Sequence, residues 1–294
     1  MRLHDSPALE AARAGAACLL PVLAIDPAPF RATGTTLARS GPYRARFLLA
    51  AAAELRAALR ARRSELVVRV GAPSDVIPAL AASIGATRVV VTEGVSYADR
   101  AADAAVETAL AALDRGPPLA RVWAGTLTDV EVLGGSPDGV PATFSEFRAL
   151  VDAAPARSPL PAPATLPRTP PRCPPAGELP TEEALVGDAA AVAAAAGDGA
   201  AVGAGLAGGE RAALDALRAA SSSSPPSSLS LVSQLAPWLA GGCLSPRRAL
   251  AGAGAARAAV AAELAWRDFF RFTTAKLAAV TAGEKRRVGG LAAA

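Results

Sequence analysis

The chain has 294 residues, of which 77 are alanine, and 28 of its 30 basic residues are arginine. A net charge of +4 does not by itself establish nucleic-acid binding, and a single histidine, His4, leaves little room for His-based catalysis or a metal site. Three cysteines far apart (Cys18, Cys173 and Cys243) exclude a disulfide framework or zinc site and fit a reducing, intracellular compartment, without singling out cytoplasm, nucleus or organelle.

The Ala/Arg/Gly/Pro excess reads as a GC-rich coding background. The longest uncharged run, Ala219 to Pro246, is broken by serines and four prolines, so it is no transmembrane helix. Ala14 to Ile25 is apolar like a signal core. Asp5 and Glu10 precede it and Pro21 interrupts it, so a buried strand explains it better.

In chain order, Pro7 to Gly15 reads as a helix with Asp5 or Ser6 as N-cap. Leu19 to Ile25 is a strand bounded by Pro27 and Pro29. Tyr43 to Arg62 is a long helix whose apolar stripe is Phe47, Leu48, Ala51, Leu55, Ala58 and Leu59. Leu66 to Val70 is a strand ending at Gly71. Ser74 is expected to cap a helix that Gly85 stops. Arg88 to Thr92 is expected to be a fully buried strand. Tyr97 to Leu113 is helical, and Leu119 to Trp123 is a fourth strand. This alternation predicts an α/β fold: a parallel sheet with helices on both faces. In such a sheet the opening helix follows a strand, so an upstream strand and a start within a domain are expected.

Beyond Trp123 the alternation dissolves. Ala142 to Val151 predicts a short helix carrying Phe144 and Phe147. Pro155 to Pro180 holds ten prolines and reads as a stiff, extended linker. Ala189 to Gly209 is Ala/Gly low complexity. Arg211 to Ala220 is a short amphipathic helix, and Ser221 to Ser230 is a Ser/Pro loop. From Leu231 helical periodicity returns with Trp238, Trp266, Phe269, Phe270 and Phe272.

The most informative segment is Glu263-Leu-Ala-Trp-Arg-Asp-Phe-Phe-Arg-Phe272. Helical spacing puts Glu263, Trp266, Arg267 and Phe270 on one face. An acid, an indole and a guanidinium together suit a planar aromatic ligand. By spacing alone, an amphipathic core helix with a Glu263–Arg267 ion pair is the plainer reading. Along Arg44 to Arg63, contact with DNA phosphates stands beside the plainer reading of a solvated arginine face.

The segment Glu263–Phe272 resembles the "ELxWRDFFRF" signature of the cryptochrome/photolyase family, most like its DASH-type branch. Gln234-Leu-Ala-Pro-Trp-Leu-Ala-Gly-Gly-Cys-Leu-Ser-Pro-Arg247 resembles the family's "SPWLALGCLSPR" block. Arg2-Leu-His-Asp-Ser-Pro-Ala-Leu9 resembles its opening, and Ser40-Gly-Pro-Tyr-Arg-Ala-Arg-Phe-Leu-Leu49 its "TGPxRAxFLL" block. Trp123-Ala-Gly-Thr-Leu127, Phe144-Ser-Glu-Phe-Arg148 and Gly208-Gly-Glu210 fall in family order.

The resemblance implies three parts: an α/β domain over residues 1–130, a linker over 131–230, and the N-terminal part of a helical FAD-binding domain over 231–294, expected to be incomplete. It implies a blue-light flavoprotein whose photoexcited flavin splits pyrimidine dimers, a deoxyribodipyrimidine photolyase by chemistry, or a photoreceptor. DNA, single-stranded or with a flipped lesion, is the implied partner. An antenna chromophore, a folate or deazaflavin, is implied near the α/β domain, and no metal. Residue by residue, Glu263 and Trp266 resemble the lesion-contacting acid and stacking indole, and Arg267 a flavin-pocket guanidinium. Ser233, Gln234 and Leu235 match the loop that holds the flavin pyrophosphate near a helix N-terminus. Where that loop is rich in hydroxyls, this chain has Val232, Gln234 and Ala236. Each loss removes a phosphate contact worth about 1–3 kcal/mol.

A second reading is a catalytically inert α/β interaction module that holds no FAD. A general nucleotide-binding α/β protein finds no support, because the Gly-rich first turn it needs is absent from the sequence.

Overall fold

The computed structural model describes residues 1–31, 38–154, 157–188, 206–222 and 230–291, with the side chains of 281–291 left undescribed. Most of the Ala/Gly stretch after Ala189, the Ser/Pro loop at 223–229 and the last three residues lie outside the described residues.

The expected alternation is present. Helix α1 (Pro7–Arg13) starts where the Ser6 hydroxyl accepts the Leu9 N–H and Pro7 supplies a preset φ. Strand β1 (Val22–Ile25), helix α2 (Pro42–Arg60), strand β2 (Val67–Val70), helix α3 (Pro73–Ile84), strand β3 (Val89–Thr92), helix α4 (Tyr97–Ala111) and strand β4 (Leu119–Val122) follow. Helix α4 opens on a capping box between Ser96 and Asp99.

Two expectations need correcting. Ser74 does not cap α3. Pro73 is already the first helical residue behind Ala72, because a proline there has its φ preset and loses no helical hydrogen bond. Strand β3 is half-buried rather than fully buried, and Thr92 is exposed. Ala81, Val106 and Leu110 form a core of their own against Val89 and Leu119, and α1 lies against β3 and β4.

The strands are parallel, but they form two pairs rather than one continuous sheet. β1 pairs with β2 in the register Val22–Val67 to Ile25–Val70. β3 pairs with β4 from Val89–Leu119 to Thr92–Val122. Among the described residues no ladder joins the pairs.

The Pro-rich stretch is extended, as expected, and it is strapped down. Ala176 accepts the Val68 N–H at 2.7 Å, and Leu19 donates to the Arg168 carbonyl at 3.0 Å. Gly177 sits at φ +73°, where a Cβ would overlap the Val68 carbonyl oxygen, so only glycine allows this approach. The arginines of α2 and its end hold the strap. Arg56 donates to the Ala176 and Gly177 carbonyls, Arg62 to Pro163, and Arg46 pairs with Glu182 of the short helix α6 (Glu182–Val186). Much of the arginine face thus has internal partners.

Helix α5 (Phe144–Ala153) carries Phe144 and Phe147 and opens on a Thr143–Glu146 capping box. Helices α7 (Glu210–Ser222), α8 (Leu231–Ala240), α9 (Pro246–Ala251) and α10 (Arg257–Leu291) complete the chain. α2 serves two cores. Leu59 and Ala45 pack with Ile25, Leu66 and Val68, while Ala51 packs with Leu217, Leu235, Trp238, Leu244 and Leu264. That shared helix ties the strands to the helical region.

Candidate functional site

Helix α10 divides the informative segment between two environments. Leu264, Asp268 and Phe272 are fully buried, whereas Trp266 is 45% exposed and Phe270 59% exposed. Trp266 and Phe270 stack at 5.9 Å between ring centroids, as their i, i+4 spacing requires. Phe144 of α5 covers the indole from another side at 3.4 Å, nearly parallel. Sequence spacing could not reveal that partner, which lies more than a hundred residues away.

The expected Glu263–Arg267 ion pair does not form. Glu263 accepts from the Ser230 hydroxyl at 2.7 Å. Arg267 turns inward and donates to the Gly125 carbonyl at 2.6 Å and the Leu239 carbonyl at 3.4 Å. Two carbonyls fixed by surrounding elements outcompete an acid that already has a hydroxyl donor. Burial, and then the neighbouring Arg271, lower the Arg267 pKa to about 10, against the pull of Asp268.

Ser233, Gln234 and Leu235 lie inside α8 rather than in a loop. The Ser230 hydroxyl caps the helix by accepting the Ser233 N–H at 3.1 Å, and its carbonyl accepts the Gln234 N–H. Ser233 is exposed, Gln234 half-buried and Leu235 buried. Ser230 is the residue that sequence reasoning missed. It joins the start of α8 to Glu263, and its signal was the N-cap pattern of a serine before an apolar run. The carried-over residues therefore form two groups: Ser233 and Glu263 meet through Ser230, while Arg267 faces the other way.

Asp268 explains why this part of α10 is fixed. Its carboxylate accepts the Thr128 N–H at 2.7 Å, and Thr126 bridges the Trp123 indole N–H and the Thr128 carbonyl. Trp123 stacks on Phe272 at 4.9 Å. Two of the sequence blocks, Trp123–Leu127 and Glu263–Phe272, thus meet in space. Complete burial raises the Asp268 pKa to about 6, although the Thr128 amide and Arg267 oppose the rise.

The opening block meets two others. Glu210 accepts the backbone N–H groups of Leu3 and His4 at 2.7 and 3.0 Å, and the His4 ring Nδ1 as well. Nε2 of His4 then accepts the Ser245 N–H, at the long distance of 3.5 Å. Burial alone would raise the Glu210 pKa, but these donors outweigh it and the net shift is downward. Arg2 donates to the Gly242 carbonyl at 2.9 Å. Arg247, 5% exposed, bonds Asp129 and lies 3.5 Å from Asp5. His4 is a structural hydrogen-bonder.

The donor set can be tested against a flavin. Ser233 offers an exposed hydroxyl beside a helix N-terminus, and Glu263 and Trp266 share the adjoining surface. Cavities of about 290 and 210 Å³ exist, but Ser233, Gln234, Trp266 and Arg267 line neither. The larger lies at the lower edge of the range for cofactor sites. The residues present fit one wall of a flavin site. Among the described residues no cluster of His, Cys, Asp or Glu could hold a metal ion, and no helix is long and apolar enough to cross a membrane.

Comparison with known proteins identifies the family and the fold. The family model described as DNA photolyase matches residues 1–165. The cryptochrome DASH of Natronomonas pharaonis is 34% identical over 299 residues, covering 95% of this chain and 61% of the relative. The blue-light photoreceptor PHR2 of Arabidopsis thaliana is also 34% identical, over 148 residues, covering 50% of this chain and 33% of the relative. A crystal structure of a Synechocystis cryptochrome superposes with a TM-score of 0.74 at 25% identity, covering 94% of this chain and 59% of that one. The chain thus spans at most about three-fifths of the length of these relatives.

Proposed function

The chain belongs to the cryptochrome/photolyase family, and from that premise we propose that it is a DASH-type blue-light flavoprotein that acts on pyrimidine dimers in DNA. The observation that carries the reading is the split of Glu263–Phe272: Arg267, Asp268 and Phe272 lock the helix onto Trp123–Thr128, so that Glu263 and Trp266 stay at the surface in fixed orientation.

FAD is the cofactor of this reading. When bound, the flavin supplies blue-light absorption and an electron. The residues of this chain have smaller tasks. Ser233 offers its hydroxyl to the pyrophosphate beside the N-terminus of α8, with Gln234 and Leu235 behind it. Arg267, turned inward onto the Gly125 and Leu239 carbonyls, fixes α10 behind the flavin wall. Glu263 accepts a hydrogen bond from a lesion base, and Trp266 gives it an apolar surface. A single-stranded substrate fits, because its bases are extruded at little cost. A folate or deazaflavin antenna belongs to the same reading. In this reading residues 1–130 form the α/β domain, 131–230 the linker and 231–294 the N-terminal part of the FAD-binding domain, and the protein works inside the cell.

The test is the absorbance spectrum of the purified chain, followed by light-dependent dimer repair in single-stranded DNA. Flavin absorbance and repair that Glu263→Gln weakens are expected. A second reading, an inert α/β interaction module without FAD, is favoured by one observation: Arg267, the flavin-pocket guanidinium of the resemblance, is turned inward onto the Gly125 and Leu239 carbonyls. A preparation with no flavin absorbance and no repair establishes that reading instead.

A further inference from the structure

A second polar pocket lies on the molecule away from Glu263 and Trp266. It has a volume of about 210 Å³ and is lined by Leu127, Arg157, Ser158, Arg247, Leu250 and Arg257, among others. It brings together the end of the Trp123–Leu127 block, the strap, α9 and the start of α10.

The charges in it do not balance. Three guanidiniums converge on the pocket, and the carboxylates paired with them are Asp129 and Asp5. Asp129 takes both Arg157, at 3.1 Å, and Arg247. Asp5 lies 3.5 Å from Arg247. Arg257 has no carboxylate partner among the described residues and donates Nη1 to the Leu250 carbonyl at 3.1 Å. Its position is unusual as well. It is the first residue of a 35-residue helix whose first turn carries no acid. A helix N-terminus is the positive end of the dipole, so a cation there is disfavoured unless an anion answers it. Independently, the Arg247 side chain is 5% exposed, and its Nε is buried with no hydrogen-bond partner. A buried unpaired donor normally costs free energy comparable to a lost hydrogen bond.

We propose that this pocket binds a phosphate oxyanion, either free phosphate or the terminal phosphate of a monoester. Guanidinium forks match the geometry of tetrahedral oxyanions, and the Ser158 hydroxyl adds a neutral donor. The deep placement of Arg247 selects a group that can enter end-on. A phosphodiester flanked by sugars on both sides cannot enter that way. The site is separate from the flavin reading and stands whether or not FAD binds.

The experiment is a phosphorus NMR titration of the whole chain with inorganic phosphate, at ionic strength held constant with chloride. Saturable binding is expected, with at least a tenfold loss of affinity in Arg257→Gln and again in Arg157→Gln. Arg157 is half-exposed and Arg257 lies at a helix start, so both variants should melt at the wild-type temperature in the absence of phosphate. Arg44→Gln lines the other cavity and should bind as wild type. Repeating the titration with AMP separates the two sources: displacement of phosphate shows that a monoester enters, and failure to displace it restricts the site to the free ion. Non-saturable binding overturns the proposal. So does unchanged affinity in Arg257→Gln, or an equal loss in Arg44→Gln, which marks a general charge effect.

Discussion

The junction between the chain's opening residues and its helical region is closed, whereas the outer face of α10 is open. At the junction, His4 and Asp5 are buried and their polar groups meet Glu210, Arg247, Ser245 and the Leu160 backbone. On α10, Trp266, Phe270, Leu277 and Val280 remain exposed within fifteen residues. The two surfaces derive from different sequence blocks: the junction from Arg2–Leu9, Gly208–Glu210 and Gln234–Arg247, the open face from Glu263–Phe272 and the residues after it. Buried charge is costly without partners, so the junction is knit by polar contacts between distant residues. An aromatic face can stay open at small cost, because surface apolar groups are common. The polar blocks tie distant parts of the chain together, and the aromatic block leaves Trp266 and Phe270 exposed.

Several substitutions would break or sharpen that contrast. The largest effect is expected for Arg247→Ala, which leaves buried Asp5 without its cation and half-buried Asp129 with Arg157 alone. It should cost about 3–5 kcal/mol, measured as a fall in the urea midpoint. A loss below about 1 kcal/mol would show that the junction is not closed by charge.

Buried Asp268 and half-buried Glu210 should titrate with opposite sign. Asp268 has its pKa raised to about 6 in the folded chain, from 3.8. Folding therefore takes up a proton between those values, and stability falls as pH rises from about 4 to about 6. The loss is on the order of 2–3 kcal/mol. Asp268→Asn should flatten this limb while its amide oxygen still accepts from Thr128. A variant with the same slope as wild type would remove Asp268 as the cause.

Glu210 is shifted downward instead. Its contribution is present at neutral pH and is lost as pH falls below the ordinary carboxylate value of 4.5. Glu210→Gln should cost about 1–3 kcal/mol at pH 7 and should flatten the acid limb of an unfolding series. Retention of that limb would assign it to other carboxylates.

The smallest effect on stability is expected at the open face. Trp266→Ala should cost about 1 kcal/mol, chiefly its stacking on Phe144. Binding of dimer-containing single-stranded DNA should weaken about tenfold, within the range of one lost stacking contact. A large stability loss with unchanged DNA affinity would make Trp266 a core residue.

Much of the fold was legible because periodicity reports burial. The stripe Phe47, Leu48, Ala51, Leu55, Ala58 and Leu59 marked α2, and Gly85 marked the end of α3, whereas its start precedes Ser74, the expected cap. The site was less legible. The spacing of Glu263, Trp266, Arg267 and Phe270 is correct for one helix, yet spacing contains no information about Gly125, Leu239, Phe144 or Ser230. Those partners decide which side chains turn inward.

By itself, the sequence determined the alternation of strands and helices and the family blocks, since these depend on local pattern and residue type. Only the tertiary structure decided that the strands form two parallel pairs, that the arginines of α2 grip the Pro-rich strap, and that Arg267 abandons Glu263 for carbonyls. Hydrogen bonds and charge pairs between residues far apart in the chain are settled by competition among every partner within reach, and that competition exists only once the chain is packed.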